Sequence, residues 1–360
     1  MRITIDATSA LLRSAGVKGY TYHWLRHLRR QARADDEIRA FPLLREWDVL
    51  DHEHSTLSRP ATLARLALVH SINVFGAGVL DRVLRGTQVF HAGNLVRRAP
   101  SSARLTATIH DLTALIMPVV HTRAIARADD IFAERILKRA DGLIAVSENT
   151  RQDAIRMLGI QPGRIRTIHS GIASEYFDAL PRPRAKPYVL YVGTVEPRKN
   201  LGTLLDAWGS LHADLRQNFD LIIAGPQGWH STETMIRVRG ESQYLGYVPE
   251  ADLPGLVAGA SLFVYPSLYE GFGFPVVQAM AANVPVLCSA TSCLPEIVGD
   301  SAALVDPRSV SEIGAQLSRL LESPMERARL AQLGRVRAEC FTWERCAAES
   351  LEFFREIAGA

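Results

Sequence analysis

The sequence predicts an α/β protein with two domains, each built on a parallel β-sheet. Short apolar segments typical of buried strands alternate with segments of helical periodicity throughout the 360 residues. The segment 181–187 contains three prolines and three basic residues, as expected of a linker, and the alternation starts again after it. With 47% hydrophobic and 22% charged residues, the chain can form two hydrophobic cores.

The first half of the chain is expected to form the N-terminal domain. Its apolar segments predict strands at 2–7, 89–91, 105–110, 142–147 and 164–169. Segments with helical spacing lie between them, at about 19–33, 61–84, 121–140 and 148–158. This order of strands and helices is typical of a parallel sheet covered by helices.

The second half repeats the pattern. Strands are predicted at 188–193, 220–225, 244–247, 262–265, 286–289 and 303–305. A last helix, at about 343–357, carries an apolar face with Trp343, Leu351, Phe354 and Ile357. Its periodicity allows this helix to pack on either domain.

Composition argues against several classes of protein. The four cysteines have neither Cys-x-x-Cys spacing nor histidines at zinc-finger distance, so we expect them to be reduced. The N-terminus enters a strand directly, without the apolar core of a signal peptide, which favours a cytoplasmic protein. The apolar run 66–80 is too short to span a membrane.

Charge is distributed unevenly. Residues 1–180 hold 25 Lys/Arg against 18 Asp/Glu, a net +7, whereas the whole chain has a net charge of +3. Either the arginines are scattered without a function, or the N-terminal domain faces an anionic membrane surface or acceptor. No zinc-finger or RNA-binding signature accompanies the charge, so nucleic acid is not an expected partner.

The most informative segment is 262–300, which places one carboxylate, Glu270, between a strand and a helix. Gly271 and Gly273 follow, and glycine lets a backbone approach a ligand closely. From Pro275 the spacing becomes helical, with proline in the first turn, where its missing N–H costs nothing. A helix N-terminus at the carboxyl edge of a parallel sheet is a place where anionic ligands bind.

Two adjacent cations, Arg198 and Lys199, lie at another strand–helix junction, after the strand that ends at Gly193. The positive end of the helix adds to their charge. Arg198 can bind two oxygens as a planar fork and Lys199 can act as a point charge, so the pair suits a diphosphate. By themselves the two cations would indicate a solvated turn, but their combination with Glu270 favours a binding site.

These two segments resemble the retaining glycosyltransferases of the GT-B fold, in particular glycosyltransferase family 4 (group 1). The resemblance extends over nearly the whole chain. It implies two Rossmann-like domains that face each other across a cleft, with the C-terminal helix, about 343–360, crossing back to the first domain. It also implies an acceptor domain, a linker and a nucleotide-sugar donor domain, at 1–180, 181–187 and 188–342.

In the N-terminal domain, the resemblance implies that His110 contacts the donor sugar near the reacting centre. Asp111 then either orients His110 or holds an acceptor hydroxyl. Gly16 lies in a glycine loop, 14–20, that resembles the family's loop against the donor phosphates and acceptor. Lys18 in this loop either adds charge to the diphosphate site or is solvated.

In the C-terminal domain, the resemblance implies that Arg198 and Lys199 neutralise the leaving diphosphate and that Glu270 holds the donor sugar. Further donor contacts are implied for Gly193, Tyr247, Val248, Leu253, Gly271, Phe272 and Gly273. The second acid of the family's Glu-x7-Glu pattern is Gln278 here. Glutamine still accepts and donates hydrogen bonds but lacks a charge, so we expect this departure to affect donor affinity more than chemistry.

No metal or cofactor is implied, because the two cations and a helix end stabilise the leaving group. The run Asp51-His52-Glu53-His54 has metal-ligand residue types, but contiguous ligands without a supporting partner are not typical of a metal site.

We therefore expect a cytoplasmic transferase, or one peripheral at the inner face of the plasma membrane, that moves a hexose from a nucleotide-diphosphate sugar to a glycan or lipid-linked acceptor. The form Glu196-Pro-Arg-Lys-Asn200 is frequent among bacterial mannosyltransferases that use GDP-mannose. It favours that donor over a UDP-sugar, and a role in polysaccharide or O-antigen assembly.

Several alternatives stay open. The same fold serves nucleotide-sugar epimerases and hydrolases, and a non-catalytic nucleotide-sugar-binding subunit would have a similar sequence. The aromatic and basic helix at about 19–33 and the apolar stretch 62–80 could each touch lipid, or each could dock on the sheet.

Overall fold

The computed structural model describes residues 1–13, 16–42, 44, 47, 50–93, 95–182 and 184–359. Contacts divide the chain into two compact units. The first consists of Met1–Leu115, Ala124–Gly171 and Thr342–Ala360, and the second of Ile116–Arg123 and Ile172–Phe341. Each unit contains one six-stranded sheet whose paired strands are parallel, which confirms the predicted α/β class.

The sheet of the first unit has the strand order β2-β1-β3-β4-β5-β6. Its strands are β1 (Arg2–Asp6), β2 (Glu37–Phe41), β3 (Val89–Ala92), β4 (Arg104–Ile109), β5 (Gly142–Ala145) and β6 (Ile165–Thr167). The helices that accompany them along the chain are α1 (Gly16–Gln31), α2 (Arg59–Phe75), α3 (Ala77–Val83), α4 (Thr113–Ile116), α5 (Arg123–Arg135) and α6 (Glu148–Leu158).

Two features of this unit differ from the sequence-based expectation. Strand β2 was not predicted, because it is an edge strand of five residues with charged side chains at Glu37 and Arg39. The helix predicted at 61–84 is two helices, α2 and α3, because Gly76 between them has a φ of 97°, which a helix cannot contain.

The sheet of the second unit has the order β12-β11-β10-β7-β8-β9. Its strands are β7 (Tyr188–Val192), β8 (Asp220–Ala224), β9 (Gln243–Gly246), β10 (Leu262–Tyr265), β11 (Val286–Ser289) and β12 (Ala303–Val305). Read from the β9 edge, this is the doubly wound order 3-2-1-4-5-6, which reverses direction between β7 and β10. Ligands of such sheets bind at the carboxyl ends of the strands beside this reversal.

Helices follow most strands of the second unit. They are α7 (Leu201–Gly209), α8 (Ala213–Asn218), α9 (Thr232–Glu241), α10 (Leu253–Ala258), α11 (Phe274–Ala281), α12 (Leu294–Val298), α13 (Val310–Glu322) and α14 (Pro324–Ala338). All four cysteines of the chain are free, as predicted, and three of them are buried.

The C-terminal helix, α15 (Trp343–Gly359), belongs to the first unit, as the family resemblance implied. It packs along α1, where the Trp24 indole nitrogen donates to the Ser350 hydroxyl at 3.0 Å. The Phe354 ring lies against the rings of Trp24 and His91, with centroids 5.9 and 5.4 Å away. The apolar face predicted for this helix therefore completes the core of the first unit.

Helix α1 also contributes its aromatic face to that core. Its buried residues include Tyr20, Tyr22, Trp24, Leu25 and Leu28. The interpretation of this helix as a docked element is therefore correct, and its aromatic side chains are not available to lipid.

The sequence-based alternative of a solvated Lys18 is wrong. Its side chain is fully buried, and its ammonium group donates to the carbonyl oxygens of Asp51 and His54, each at 2.7 Å. Lys18 thus holds the 51–54 loop against α1, and a contribution of its charge to the diphosphate site stays a prediction. Ser14 and Ala15 of the glycine loop lie outside the described residues.

Two segments pack on the second unit in ways that the sequence did not indicate. In 116–123, the Val120 carbonyl accepts from the Trp229 indole at 2.6 Å, and the His121 ring stacks on that indole. In the proline-rich segment 181–187, the Arg182 N–H donates to the Gly255 carbonyl at 2.9 Å.

Among the described helices, none is both long and apolar enough to cross a membrane.

Candidate functional site

The carboxyl ends of β7 and β10 bring Arg198 and Lys199 together with Glu270, which lies about seventy positions later in the sequence. Arg198 and Lys199 occupy a short 3-10 turn, Pro197–Lys199, between β7 and α7. Glu270 lies in the loop between β10 and α11. Because β7 and β10 are neighbours at the reversal of the sheet, the two loops meet there.

Glu270 forms ion pairs with both cations. Its Oε2 lies 2.9 Å from Arg198 Nη1, and its Oε1 lies 2.7 Å from Lys199 Nζ. Lys199 also donates to the Tyr265 hydroxyl at 2.6 Å. The sequence-based association of Glu270 with Arg198 and Lys199 is therefore seen directly in the geometry.

A second carboxylate, Glu196, completes the cluster on the other side of Arg198. Its Oε1 accepts from Arg198 Nη2 at 2.7 Å, and the Tyr269 carbonyl accepts from Arg198 Nη1 at 2.8 Å. The side chains of Glu196 and Arg198 are only 3% and 13% exposed. We define Glu196, Arg198, Lys199 and Glu270 as the four-charge cluster.

The electrostatics of the four-charge cluster keep Glu270 ionised. Burial would raise the pKa of this carboxyl group, but the positive charges of Arg198 and Lys199 lower it to about 2. Burial raises the pKa of Tyr191 and Tyr265 well above the ordinary value, so the two neighbouring phenols stay neutral.

Hydrogen bonds between loops hold the cluster in place. Asn200, whose φ of 60° is left-handed, donates from its amide to the carbonyls of Pro266 and Pro307 at 3.1 and 2.6 Å. The Leu268 N–H donates to the Arg198 carbonyl at 2.9 Å. These contacts join the loops after β7, β10 and β12, so the cations are fixed by backbone as well as by charge.

The turn after Glu270 has the special backbone that its glycines predicted. Gly273 has a φ of 84° and precedes α11, and a Cβ atom there would come within 2.7 Å of Leu294. Phe272 in the same turn is buried. Gln278 lies on α11 and is half-buried.

The other predicted donor contacts lie at the same carboxyl edge of the second sheet. Gly193 follows β7, and a Cβ atom there would lie 2.7 Å from the Tyr191 hydroxyl. Tyr247 and Val248 directly follow β9, with Tyr247 38% exposed, and Leu253 begins α10. Their roles in binding stay predictions.

The first unit holds the remaining predicted residues. His110 follows β4 and is half-buried, with its ring 4.7 Å from that of Tyr20 in an edge-to-face contact. Burial lowers the pKa of His110 to about 4 against the effect of the Asp111 charge, so the ring is neutral near pH 7. The Asp111 carboxylate accepts the Thr113 N–H at 3.0 Å, and Gly16 begins α1.

A small cavity of about 80 Å³ lies at the carboxyl ends of β1, β3 and β4 in the first unit. Its lining includes Asp6, Tyr20, Thr108 and His110. Asp6 accepts the N–H groups of Thr8 and Gly93, so this carboxylate fastens two loops around the cavity. The cavity lining is mostly apolar, with polar groups at Asp6, Thr108 and His110.

Sequence reasoning did not assign a role to Glu196 or Asn200. Glu196 looks like an ordinary turn residue, because only the fold shows that its carboxylate is buried against Arg198. The left-handed conformation of Asn200 is a signal that could have been read, since asparagine often takes that conformation at the end of a helical turn, here Pro197–Lys199.

The described residues contain no group of three or more His, Cys, Asp or Glu side chains placed to hold a metal ion. In the 51–54 loop, the Asp51 carboxylate instead accepts the N–H groups of Glu53 and His54 at 2.8 and 3.1 Å. That a metal takes no part in the reaction stays a prediction.

Two protein-family models match the chain. One, described as Glycosyltransferase Family 4, matches residues 15–176, and the other, Glycosyl transferases group 1, matches residues 173–337. Among characterised proteins, the O-antigen chain mannosyltransferase B of Escherichia coli is 34% identical over 270 residues. The match covers 70% of this chain and 70% of that relative.

Solved structures with the same fold include sucrose-phosphate synthase from Thermosynechococcus elongatus, with a TM-score of 0.74, 20% identity and 99% of both chains covered. Another is the Anabaena protein HepE in complex with UDP and glucose, with a TM-score of 0.69 and 15% identity. It covers 99% of this chain and all of that chain. At these identities the likeness shows the fold, which is GT-B.

Replacing Glu270 with glutamine should lower the free energy of unfolding at pH 7 by about 3 kcal/mol, because the buried Lys199 loses the carboxylate it pairs with and Arg198 loses one of its two. Urea denaturation followed by circular dichroism measures the change. The folded-state pKa of about 2 lies below the ordinary 4.5, so the carboxylate stabilises the fold above pH 4.5 and less as the pH falls toward 2. The difference between wild type and variant should shrink over that range.

The control is Glu241→Gln, which removes a carboxylate from a surface pair with Arg237. It should cost at most about 0.5 kcal/mol, since exposed ion pairs contribute little. Equal losses in both variants would show that the Glu270 pairs do not stabilise the fold.

Proposed function

Because the chain belongs to glycosyltransferase family 4, group 1, we propose that it transfers mannose from GDP-mannose to a hydroxyl of a glycan or lipid-linked acceptor, with retention of the anomeric configuration. The proposed setting is the assembly of a bacterial polysaccharide such as O-antigen. A 34% identical relative is an O-antigen chain mannosyltransferase, which supports the choice of sugar and setting. The UDP bound to the structurally similar HepE supports a nucleotide donor.

The observation that carries the proposal is the four-charge cluster at the reversal of the second sheet. Arg198 and Lys199 lie in a turn directly before α7 and are fixed by Glu270 and by neighbouring loops. Guanidinium and ammonium groups are the side chains that bind diphosphate oxygens. We infer that they bind the donor diphosphate and stabilise the negative charge that develops as it leaves.

Glu270 then has two tasks in the proposed reaction. Its ionised carboxylate, with a pKa of about 2, holds both cations before the donor arrives, and it accepts hydrogen bonds from hydroxyl groups of the transferred sugar. The turn at Gly271–Gly273 lets backbone approach the same sugar. Attack by the acceptor hydroxyl and departure of the diphosphate occur on the same face of the sugar.

His110 and Asp111 are proposed to act from the first unit. A neutral His110 ring donates one hydrogen bond to the donor sugar without adding charge to the site, which its pKa of about 4 allows. Asp111 is proposed to hold an acceptor hydroxyl. No metal is needed in this scheme, so we expect transfer to persist in excess chelator.

The rival functions make different products. A hydrolase would release free mannose without an acceptor, and an epimerase would release an altered nucleotide sugar or free sugar. A non-catalytic binding subunit would bind the donor without turnover. The pairing of Glu270 with both Arg198 and Lys199 favours an enzyme over a binding subunit, because a binding subunit does not need to stabilise a leaving group.

We further propose that the first unit contacts an anionic membrane through α2. One side of this helix is exposed and uncharged; we name it the α2 stripe, formed by Leu63, Ala67, His70, Val74 and Phe75. Leu63, Val74 and Phe75 are 68%, 53% and 78% exposed. Spacings of three and four residues place the first four on one helix face.

Charge favours an anionic bilayer as the surface that covers the α2 stripe. Arg59 is exposed at the start of α2, and Arg82 and Arg85 are exposed in and after α3. Residues 1–180 carry a net charge of +7. An apolar stripe flanked by arginines is typical of helices that lie in a membrane interface.

GDP-mannose should bind to the protein in calorimetry, and the double substitution Arg198→Ala/Lys199→Ala should abolish that binding because the diphosphate loses both cations. UDP-glucose, UDP-N-acetylglucosamine and UDP-galactose are titrated in parallel. Circular dichroism must show that the double variant is folded, and Lys199→Met serves as a milder variant. Preferential binding of a UDP-sugar would contradict the proposed donor.

Replacing Gln278 with glutamate should lower the donor KM about fivefold and leave kcat nearly unchanged, because a charge-assisted hydrogen bond to the nucleotide is gained. Steady-state kinetics with varied GDP-mannose measure both constants. Gln316→Glu, beside Arg319 on α13, is the matched control and should change neither. An unchanged KM with a large loss of kcat in the Gln278 variant would refute this interpretation.

The double substitution Leu63→Ser/Phe75→Ser should weaken binding to vesicles containing phosphatidylglycerol about tenfold, because two exposed apolar side chains no longer insert. Co-sedimentation measures the bound fraction. Met325→Ser/Val336→Ser, which changes two exposed apolar residues of α14, should have no effect. Equal loss in both double variants, or equal binding to uncharged vesicles, would contradict the role of the α2 stripe.

A further inference from the structure

The four-charge cluster is electrically balanced. It contains two cations, Arg198 and Lys199, and two carboxylates, Glu196 and Glu270, so its formal charges sum to zero. The neighbouring phenols of Tyr191 and Tyr265 stay protonated and do not alter this sum. A diphosphate that binds here therefore meets no net positive charge from the four side chains.

The position of Glu196 makes it the carboxylate that limits this charge. Glu270 touches both cations, whereas Glu196 touches Arg198, with Glu196 Oε1 at 2.7 Å from Arg198 Nη2. The Glu196 side chain is only 3% exposed, so solvent screens its charge poorly. A buried carboxylate beside a guanidinium that binds diphosphate opposes every anion that the guanidinium attracts.

We propose that Glu196 is a positioning residue and counter-charge: it holds the Arg198 guanidinium in place and limits how tightly the site retains a nucleoside diphosphate. This inference rests on the proposed function, because it concerns release of the product of that reaction. The product carries about one more negative charge than the nucleotide sugar, since its terminal phosphate ionises a second time near neutral pH. The charge of Glu196 therefore disfavours product more than donor.

The expected advantage of the Glu196 charge is faster release of the product and therefore faster turnover. A site with two uncompensated buried cations would bind the leaving diphosphate tightly and release it slowly, and product release limits many enzymes. With Glu196 in place, the cations are oriented for the transition state while the net charge stays low. Glu270 cannot serve this purpose alone, since it is shared between two cations and the sugar.

Glu196→Gln tests the inference, because glutamine keeps the shape and an acceptor oxygen but removes the charge. We expect the variant to bind GDP about tenfold more tightly, with a smaller gain for GDP-mannose and stronger product inhibition by GDP. Calorimetry with both ligands and steady-state kinetics with added GDP measure these changes. Glu196→Asp keeps the charge and should restore the wild-type ratio of the GDP and GDP-mannose affinities.

Inorganic pyrophosphate is the second probe, because it reports the charge of the site without base or sugar. Glu241→Gln, which changes the net charge of the second unit equally at its surface, is the control and should leave all affinities unchanged. Circular dichroism and thermal unfolding confirm that each variant is folded.

Weaker binding of GDP and GDP-mannose by Glu196→Gln in equal proportion would show that Glu196 only orients Arg198, and would overturn the inference. Unchanged affinity for GDP and pyrophosphate would overturn it as well. If wild type does not bind GDP-mannose but Glu196→Gln binds pyrophosphate more tightly, the proposed donor is wrong and the counter-charge stands. If wild type binds GDP-mannose and Glu196→Gln gains no affinity for GDP, the function stands and the counter-charge does not.

Discussion

The ion pairs of Glu270 with Arg198 and Lys199 are the interaction on which the second unit's site depends. They join a turn after β7 to a loop after β10, and these strands are neighbours because the chain crosses the sheet between β9 and β10. A different strand order would separate Glu270 from both cations and leave Lys199 without the carboxylate it pairs with. Because unpaired buried charge costs several kcal/mol, the sheet topology and the charge pattern constrain each other.

Attraction between the charges is not enough to stabilise this arrangement. The cost of desolvation offsets much of the attraction between buried charges, so other contacts must hold the cluster in place. The structure supplies them through the backbone: Asn200 bonds two prolyl carbonyls, and the Glu270 N–H donates to the Ser292 hydroxyl at 3.0 Å. The loops are thus ordered by neutral hydrogen bonds, and the charges are available for chemistry. A rigid arrangement of cations is what stabilisation of a leaving diphosphate requires.

Much of the fold and of the candidate site could be predicted from the sequence, because the patterns that indicate them lie within short segments. Of the twelve strands in the described part of the chain, eleven follow from short apolar runs, and Glu270, Arg198 and Lys199 stand out as charges at strand ends. What could not be predicted depends on tertiary contact. Edge strand β2 is recognised only by pairing with β1, and Lys18 reads as a surface cation until the 51–54 loop covers it. Glu196 likewise becomes informative only when burial and its distance to Arg198 are known.

In both units, burial or pairing limits the charge carried by groups of the predicted site. In the first unit, burial lowers the pKa of His110 to about 4 and so keeps its ring neutral beside the small cavity. In the second, Glu196 and Glu270 balance two cations. A cluster of paired ions attracts an anionic product less strongly than two unpaired cations would, and its cations stay in fixed positions. In the reaction proposed above, whose product is more anionic than its donor, this balance would set how readily the product leaves.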